Sequence, residues 1–174
     1  MSTRVAIGLD VGTSGLKAVA VAEDGRELAA SGRAYPLLTP RPGWSEQEPQ
    51  EWWQAAVSAI PELLSRLRAS GGDFEIAALG LSGQMHGLVP LDARGEPVRP
   101  AILWNDQRTG EAVRELERRV PRSDMIGSTG NPAITGFQLA KLVWLRTEEP
   151  EEFARTAHVL FPKDYLGYRL TGEI

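Results

Sequence analysis

Apolar residues follow first a strand rhythm and then a helical one, and the changes between them mark out the elements. Val5-Ala6-Ile7-Gly8-Leu9 is a short apolar run with β-branched residues that closes on Asp10. Leu16-Lys17-Ala18-Val19-Ala20-Val21 follows a Gly-Thr-Ser-Gly turn, Asp24-Gly25 marks a tight turn, and Leu28 to Tyr35 makes a third run. The opening therefore predicts a three-stranded meander. Pro36, Pro40, Pro42 and Gly43 break the pattern into loop. From Pro49, a residue suited to the first position of a helix, Trp53, Ala56, Val57, Ile60, Leu63, Leu64 and Leu67 recur at helical spacing, with Glu51 in the first turn. Pro61 inside that run predicts a kink or two abutting helices, and Gly71-Gly72 ends it.

Glu75 to Ser82 reads as a buried strand ending at Gly83, and Leu88 to Leu91 and Ala101 to Trp104 as short strands beside the turn Asp92-Ala93-Arg94-Gly95. Val113, Leu116 and Val120 mark one helix, Phe137 to Thr147 another, and Val159-Leu160-Phe161 a last strand before a Tyr-rich helix. Glu148, Glu149, Glu151, Glu152 and Arg155 read as a solvated helix face. Trp52, Trp53 and Trp144 have helical spacing and are assigned to core, and His158 receives no role. Strands alternating with helices give a mixed α/β chain.

Composition narrows what such a chain does. Its 174 residues suit about one domain, and 42% apolar with 24% charged residues exclude a disordered chain. A net charge of −4 argues against a nucleic-acid-binding surface, which needs a basic stripe. The absence of cysteine removes disulfides, thiolate metal sites and cysteine nucleophiles. No apolar run approaches the ~18 residues of a membrane span and no secretory h-region is found, so a cytoplasmic location with no membrane partner is expected.

Asp10-Val11-Gly12-Thr13-Ser14-Gly15-Leu16-Lys17 is the stretch richest in chemistry. Gly12 and Gly15 allow positive φ, so that successive backbone N–H groups would face one anion as a nest, the Thr13 and Ser14 hydroxyls add donors, and Lys17 adds a point charge. Asp10 would repel a bare phosphate, which implies a Mg²⁺ between it and a nucleotide. The spacing is neither that of a Walker A loop nor that of a dinucleotide fingerprint. A plain β-hairpin with a glycine turn is the alternative the local sequence leaves open.

This stretch resembles the first phosphate motif of the sugar kinase, heat-shock chaperone and actin superfamily. Its continuation resembles the FGGY carbohydrate kinases, the xylulokinases in particular: Pro42-Gly43-Trp44-Ser45-Glu46-Gln47, Ser82-Gly83-Gln84-Met85-His86-Gly87, Ala101-Ile102-Leu103-Trp104-Asn105-Asp106, then Arg108, and Pro162-Lys163-Asp164-Tyr165-Leu166. The matching stretches run in order from Ile7 to Gly172. In the family signature around Gly136 to Trp144 a small residue usually stands where this chain has Gln138. The resemblance implies a ribonuclease-H-like fold, a mixed central sheet flanked by helices, with ATP and Mg²⁺ as cofactors. It places the whole chain, residues 1–174, in the N-terminal domain.

The same resemblance assigns Met85 and His86 to the sugar, where glycerol kinases carry an Arg-Glu pair, and so points to a ketopentose, most simply D-xylulose. Trp104, Asn105 and Asp106 are further sugar candidates: a Trp face stacks on sugar C–H groups, Asp106 accepts from hydroxyls and Arg108 holds Asp106. Against these stand a satisfied half-buried His86, a core Trp104 and an Asp106 that caps the next helix, and Trp104 ranks ahead of Asn105 and Asp106. The loop Pro42 to Gln47 is read as structural. The family's proton-accepting Asp and its second lobe are expected beyond Ile174, which makes this chain by itself an inactive fragment with an exposed apolar face and a tendency to self-associate, a homodimer being the simplest form. Ribulose, fuculose, gluconate or glycerol as substrate, or a non-catalytic sugar- or phosphate-binding module, are the alternatives.

Overall fold

The computed structural model describes residues 2–174. In chain order it has β1 (Thr3–Val11), β2 (Gly15–Ala22), β3 (Glu27–Ala34), β4 (Glu46–Gln47), α1 (Pro49–Ala69), β5 (Phe74–Gly83), β6 (Val89–Leu91) and β7 (Ala101–Ile102). There follow α2 (Gly110–Arg119), α3 (Arg122–Thr129), α4 (Gln138–Glu148), α5 (Pro150–Arg155), β8 (His158–Leu160) and α6 (Pro162–Thr171). These fall into two compact units, one of residues 1–36, 50–84 and 163–174, the other of residues 37–49 and 85–162.

The first unit is built on a mixed sheet of order β3-β2-β1-β5, antiparallel through the meander and parallel between β1 and β5. Alternation fixes its inner face: Val5, Ile7, Leu9 and Val11 pair across with Ala22, Ala20, Ala18 and Leu16, and all eight are buried. Helix α1 lies close to β3, where Arg66 donates to Ala30 O at 2.6 Å. The Ser31 hydroxyl donates to the Ala59 carbonyl at 2.7 Å, reaching the helix backbone itself. The buried seam of α1 is accordingly Trp52, Ala55, Ala56, Ala59, Leu63 and Leu67.

That seam corrects the predicted stripe. Leu63, Leu67 and Ala56 belong to it, but Val57 is 46% exposed, and Ala55 and Ala59 are buried instead, Ala59 where its carbonyl takes the Ser31 hydroxyl of β3. Pro61 neither divides nor ends α1, which runs unbroken for 21 residues. A second correction concerns β5. Its apolar run reads as buried, but it is the sheet edge, bonded only to β1, and Ile76 and Leu79 are each 45% exposed.

The second unit has two small antiparallel pairs, β4 with β7 and β6 with β8, and the helices α2 to α5. Leu88, Ile102, Ala112, Trp144 and Leu145 form its main core, with Trp44, Phe153 and Val159 packed on it. Leu116, Met125 and Ala140 form a second cluster. The strand expected at Ala101 to Trp104 stops at Ile102, because the chain turns after Leu103, where Asp106 N–H bonds to Leu103 O. Of the acidic face, Glu149 is not simply solvated: it pairs with the buried Arg99 at 3.0 Å, and burial raises its carboxyl above the ordinary range. No described helix is long and apolar enough to cross a membrane.

Candidate active site

In the first unit, the turn between β1 and β2 carries Gly12, Thr13, Ser14 and Gly15. It is closed by Gly12 N–H to Gly15 O at 3.1 Å. The glycines are needed for space rather than for conformation. Neither has positive φ, while a Cβ on Gly15 would stand 2.6 Å from Arg33 O and one on Gly12 3.0 Å from Gly15 O. The expected positive φ is therefore not found at Gly12 or Gly15, and the Gly12 N–H is bonded within the turn.

Two side chains that the sequence reading passed over brace the turn from below. The Tyr35 hydroxyl donates to Gly12 O at 2.6 Å, and Gln84 Nε2 reaches the same oxygen at 3.4 Å. Burial, reinforced by the Asp10 charge, pushes the Tyr35 phenol well above its usual range, so it stays a donor. The position of Tyr35, one residue past β3, was the available signal, since β3 pairs with the strand that leaves the turn.

Asp10 and Lys17 are direct cross-strand partners on the outer face of the sheet, both exposed, and Ser82 is the partner of Asp10 on β5. All three line an open cavity of about 380 Å³, floored by Gly8 and Gly80. Among the described residues no three His, Cys, Asp or Glu side chains gather into a metal cage. Asp10 is the one carboxylate among the residues that line the cavity, and a Mg²⁺ that keeps most of its waters is the kind of ion a single carboxylate could hold. Thr13 and Ser14 sit at the tip of the turn, half-buried and exposed respectively.

In the second unit, Met85 is 69% exposed and His86 adopts φ 63°, the one non-glycine residue with positive φ among those described. The His86 ring stacks on Phe137 at 4.2 Å and meets Phe161 edge-on. Burial, helped by the nearby Lys141 charge, lowers the imidazole below its ordinary value. A neutral ring offers one nitrogen donor and one acceptor. Trp104 is 49% exposed, so it is not core. The Asn105 Oδ1 is buried and accepts no hydrogen bond from the described residues.

Asp106 stands differently. It is fully buried, with Oδ2 taking Ser45 N–H at 2.6 Å and Arg108 Nη2 at 2.7 Å, and Oδ1 taking the Arg108 N–H and Nε, both at 2.9 Å. Nor does it cap α2, whose N-cap Thr109 makes no side-chain cap bond. Its carboxylate is occupied in orienting Arg108, which also pairs with Glu46 at 2.7 Å and lies 3.5 Å above the Trp44 ring. Glu46 pairs further with Arg99. The loop Pro42 to Gln47 is thus structural, though not exposed as a whole: Ser45, Glu46 and Gln47 are buried.

Lys141 is the residue the sequence reading missed. It is fully buried on α4, and its ammonium donates to His86 O at 2.9 Å and to Gly136 O. Desolvation lowers its pKa to about 8. A lysine between Ala140 and Leu142, on the face that also carries Trp144, was the signal. Gln138, the departure from the family signature, donates to Gly87 O at 3.0 Å and Leu160 O at 3.1 Å.

The family model for the N-terminal domain of the FGGY carbohydrate kinases matches residues 5–174. A xylulose kinase of Escherichia coli (strain K12) is 45% identical over 167 residues, which is 96% of this chain and 33% of that protein. The xylulose kinase structure from Rhodospirillum rubrum superposes with a TM-score of 0.91 at 35% identity, covering 96% of this chain and 34% of the other. A gluconate kinase from Lactobacillus acidophilus gives 0.89 at 30% identity, over 99% and 34%. The chain thus spans about a third of the relatives it matches. The mixed sheet with its flanking helices is the actin-like fold of sugar kinases. The chain belongs to the FGGY family of carbohydrate kinases, and residues 5–174 form the N-terminal domain of that family.

Proposed function

We propose that the chain is the phosphate- and sugar-binding part of an ATP-dependent pentulose kinase, one that forms D-xylulose 5-phosphate from D-xylulose. The observation that carries the reading is the Met85-His86 turn: an exposed thioether beside a neutral imidazole held by Phe137 offers an apolar wall and one directional hydroxyl contact. Trp104 supplies a stacking face, and Asn105 beside it is the remaining polar candidate for a sugar hydroxyl. The xylulose kinases among the relatives support the choice of sugar.

Asp10 would hold Mg²⁺, which when bound draws charge from the phosphates, and Lys17 and the Thr13-Ser14 tip would contact the phosphate oxygens. Transfer makes a bond from the sugar oxygen to the γ-phosphorus and breaks the bond to the ADP oxygen, and the hydroxyl proton needs a carboxylate to receive it. Asp106 is unsuited to that, since four donors already occupy it. The base and the adenosine grip would then lie in the part of the relatives' length that this chain does not cover, and a cytoplasmic location is part of the same proposal.

The test is ADP release with D-xylulose, D-ribulose, gluconate or glycerol, ATP and Mg²⁺, on this chain and on a longer form of relatives' length. Turnover in the longer form alone, fastest with D-xylulose, is expected. A preference for gluconate would overturn the substrate, and turnover by residues 1–174 would overturn the account of the base.

A further inference from the structure

The turn that presents Met85 and His86 is strained, and α4 supplies what holds it. His86, a non-glycine residue in the left-handed region, bears a steric cost, and its conformation persists only where its surroundings fix it. The peptide after His86 could relax by rotating its carbonyl away. Three contacts oppose this: Lys141 on His86 O, Gln138 on Gly87 O, and Phe137 against the imidazole face. Gly87 leaves no slack either, since a Cβ there would meet Pro162 at 2.8 Å.

Lys141 reaches further than this one turn. Its second acceptor is Gly136 O, and Gly136 lies so close to the Trp104 carbonyl that a Cβ would come within 3.1 Å of it. One ammonium therefore ties the turn of Met85 and His86 to the backbone behind Trp104. For stability alone a buried lysine is a poor choice: its charge is fully desolvated, and an apolar side chain of the same length would fill the space at less cost. What an apolar residue would not provide is a fixed charge that orients two carbonyls and faces the imidazole.

We propose that Lys141, seconded by Gln138, is a positioning residue that sets sugar specificity by locking the left-handed turn at His86 and its register with Trp104. The proposal rests on the reading of Met85, His86 and Trp104 as the sugar side. It gives the Gln138 departure a purpose as well: a small residue there would leave Gly87 O and Leu160 O without this donor.

The experiment is Lys141→Met in the protein of relatives' length, with KM and kcat measured separately for D-xylulose, D-ribulose and ATP. Loss of a charge-assisted bond that acts on sugar binding predicts a rise of about ten- to a hundredfold in KM for D-xylulose, a smaller gap between D-xylulose and D-ribulose, and a KM for ATP within about twofold. NMR titration of the His86 imidazole supplies a readout that a packing role would not move: its pKa shifts back toward the ordinary value. If Lys141→Met fails to fold, Gln138→Met, which removes only the Gly87 and Leu160 bonds, must show the same loss of sugar discrimination. A folded Lys141→Met with unchanged sugar KM and discrimination overturns the proposal. If wild-type protein prefers another sugar, the substrate reading fails alone, and the same KM comparison on the preferred sugar still decides the role of Lys141.

Discussion

Asp106→Asn separates two roles that the sequence leaves side by side. As a sugar ligand, Asp106 would lose affinity and little stability on this change. As the anchor of Arg108, it would lose stability. The substitution keeps shape, so no cavity term enters, but an amide cannot accept from all four donors now facing the carboxylate. One oxygen becomes an NH₂ that must confront the Arg108 guanidinium in either orientation, together with Ser45 N–H at the Oδ2 position or the Arg108 N–H at the Oδ1 position. The Arg108 charge, 1% exposed, keeps only Glu46 at 2.7 Å as a carboxylate partner. Breaking one side of a buried pair costs about 3–5 kcal/mol, and the remaining Glu46 contact brings the expected loss to about 2–4 kcal/mol. For a chain of this size that is roughly 5–15 °C in melting temperature.

Tryptophan fluorescence in urea is the natural assay, because Trp44 and Trp144 lie 3.5 and 4.9 Å from the Arg108 guanidinium carbon. A lower midpoint with little change in sugar KM for the molecules that remain folded is expected. An unchanged midpoint together with a raised KM for sugar would refute the anchor role and return Asp106 to the sugar.

Gly15→Ala brings a Cβ within 2.6 Å of Arg33 O, a backbone atom that cannot swing aside, so a loss of about 1–3 kcal/mol and a KM raised for ATP more than for sugar are expected from unfolding and kinetic measurements. Tyr35→Phe removes the donor to Gly12 O and should cost about 0.5–1.5 kcal/mol, with the same bias toward ATP in the kinetics. Folded Lys141 releases its proton near pH 8 while the unfolded chain keeps it to 10.5, so the unfolded state binds more protons between these values. Stability should therefore rise with pH across that window relative to Lys141→Met, and parallel curves for the two proteins would contradict it. His86 is held neutral below its ordinary value, so sugar affinity should fall only as pH drops below about 6.5 and not before, as a titration of KM will show.

What the sequence made legible depends on how local the determining contacts are. The meander, its Asp24-Gly25 turn and the Asp92-to-Gly95 turn are set by neighbouring residues, and they stand where the pattern puts them. The buried seam of α1 is not local. It depends on where sheet and helix meet, as at the Ser31 hydroxyl on Ala59 O, which spacing alone does not reveal, and so Ala55 and Ala59 are buried while Val57 is not. For β5 the pattern tells that the run is apolar, while burial depends on what lies beside an edge. At the phosphate turn the glycines were legible and their reason was not, because the close approach of Arg33 O comes from the third strand. Short elements such as β4, α3 and α5 lie below the length at which periodicity speaks.

The two buried cations of the second unit show why residue type alone misled at Asp106 and fell silent at Lys141. Arg108 offers a planar fork, and its surroundings match: Asp106 receives two of its nitrogens, Glu46 shares one, and Trp44 lies beneath its plane. Lys141 is a compact charge, and its two acceptors are backbone carbonyls from separate segments. The first environment fixes side chains to one another; the second fixes the course of the chain. Exchange of type should therefore fail differently. Arg108→Lys keeps the charge but cannot span Asp106 and Glu46 together or stack on Trp44, so about 2–4 kcal/mol of stability should go. Its sugar discrimination, unlike that of Lys141→Met, should survive in the folded fraction. Measuring melting temperature and the D-xylulose to D-ribulose ratio of kcat/KM on both variants places each on two axes. If Arg108→Lys lost discrimination without losing stability, the division between a packing cation and a positioning cation would be wrong, and the Trp104-to-Arg108 turn would have to be counted with the sugar side.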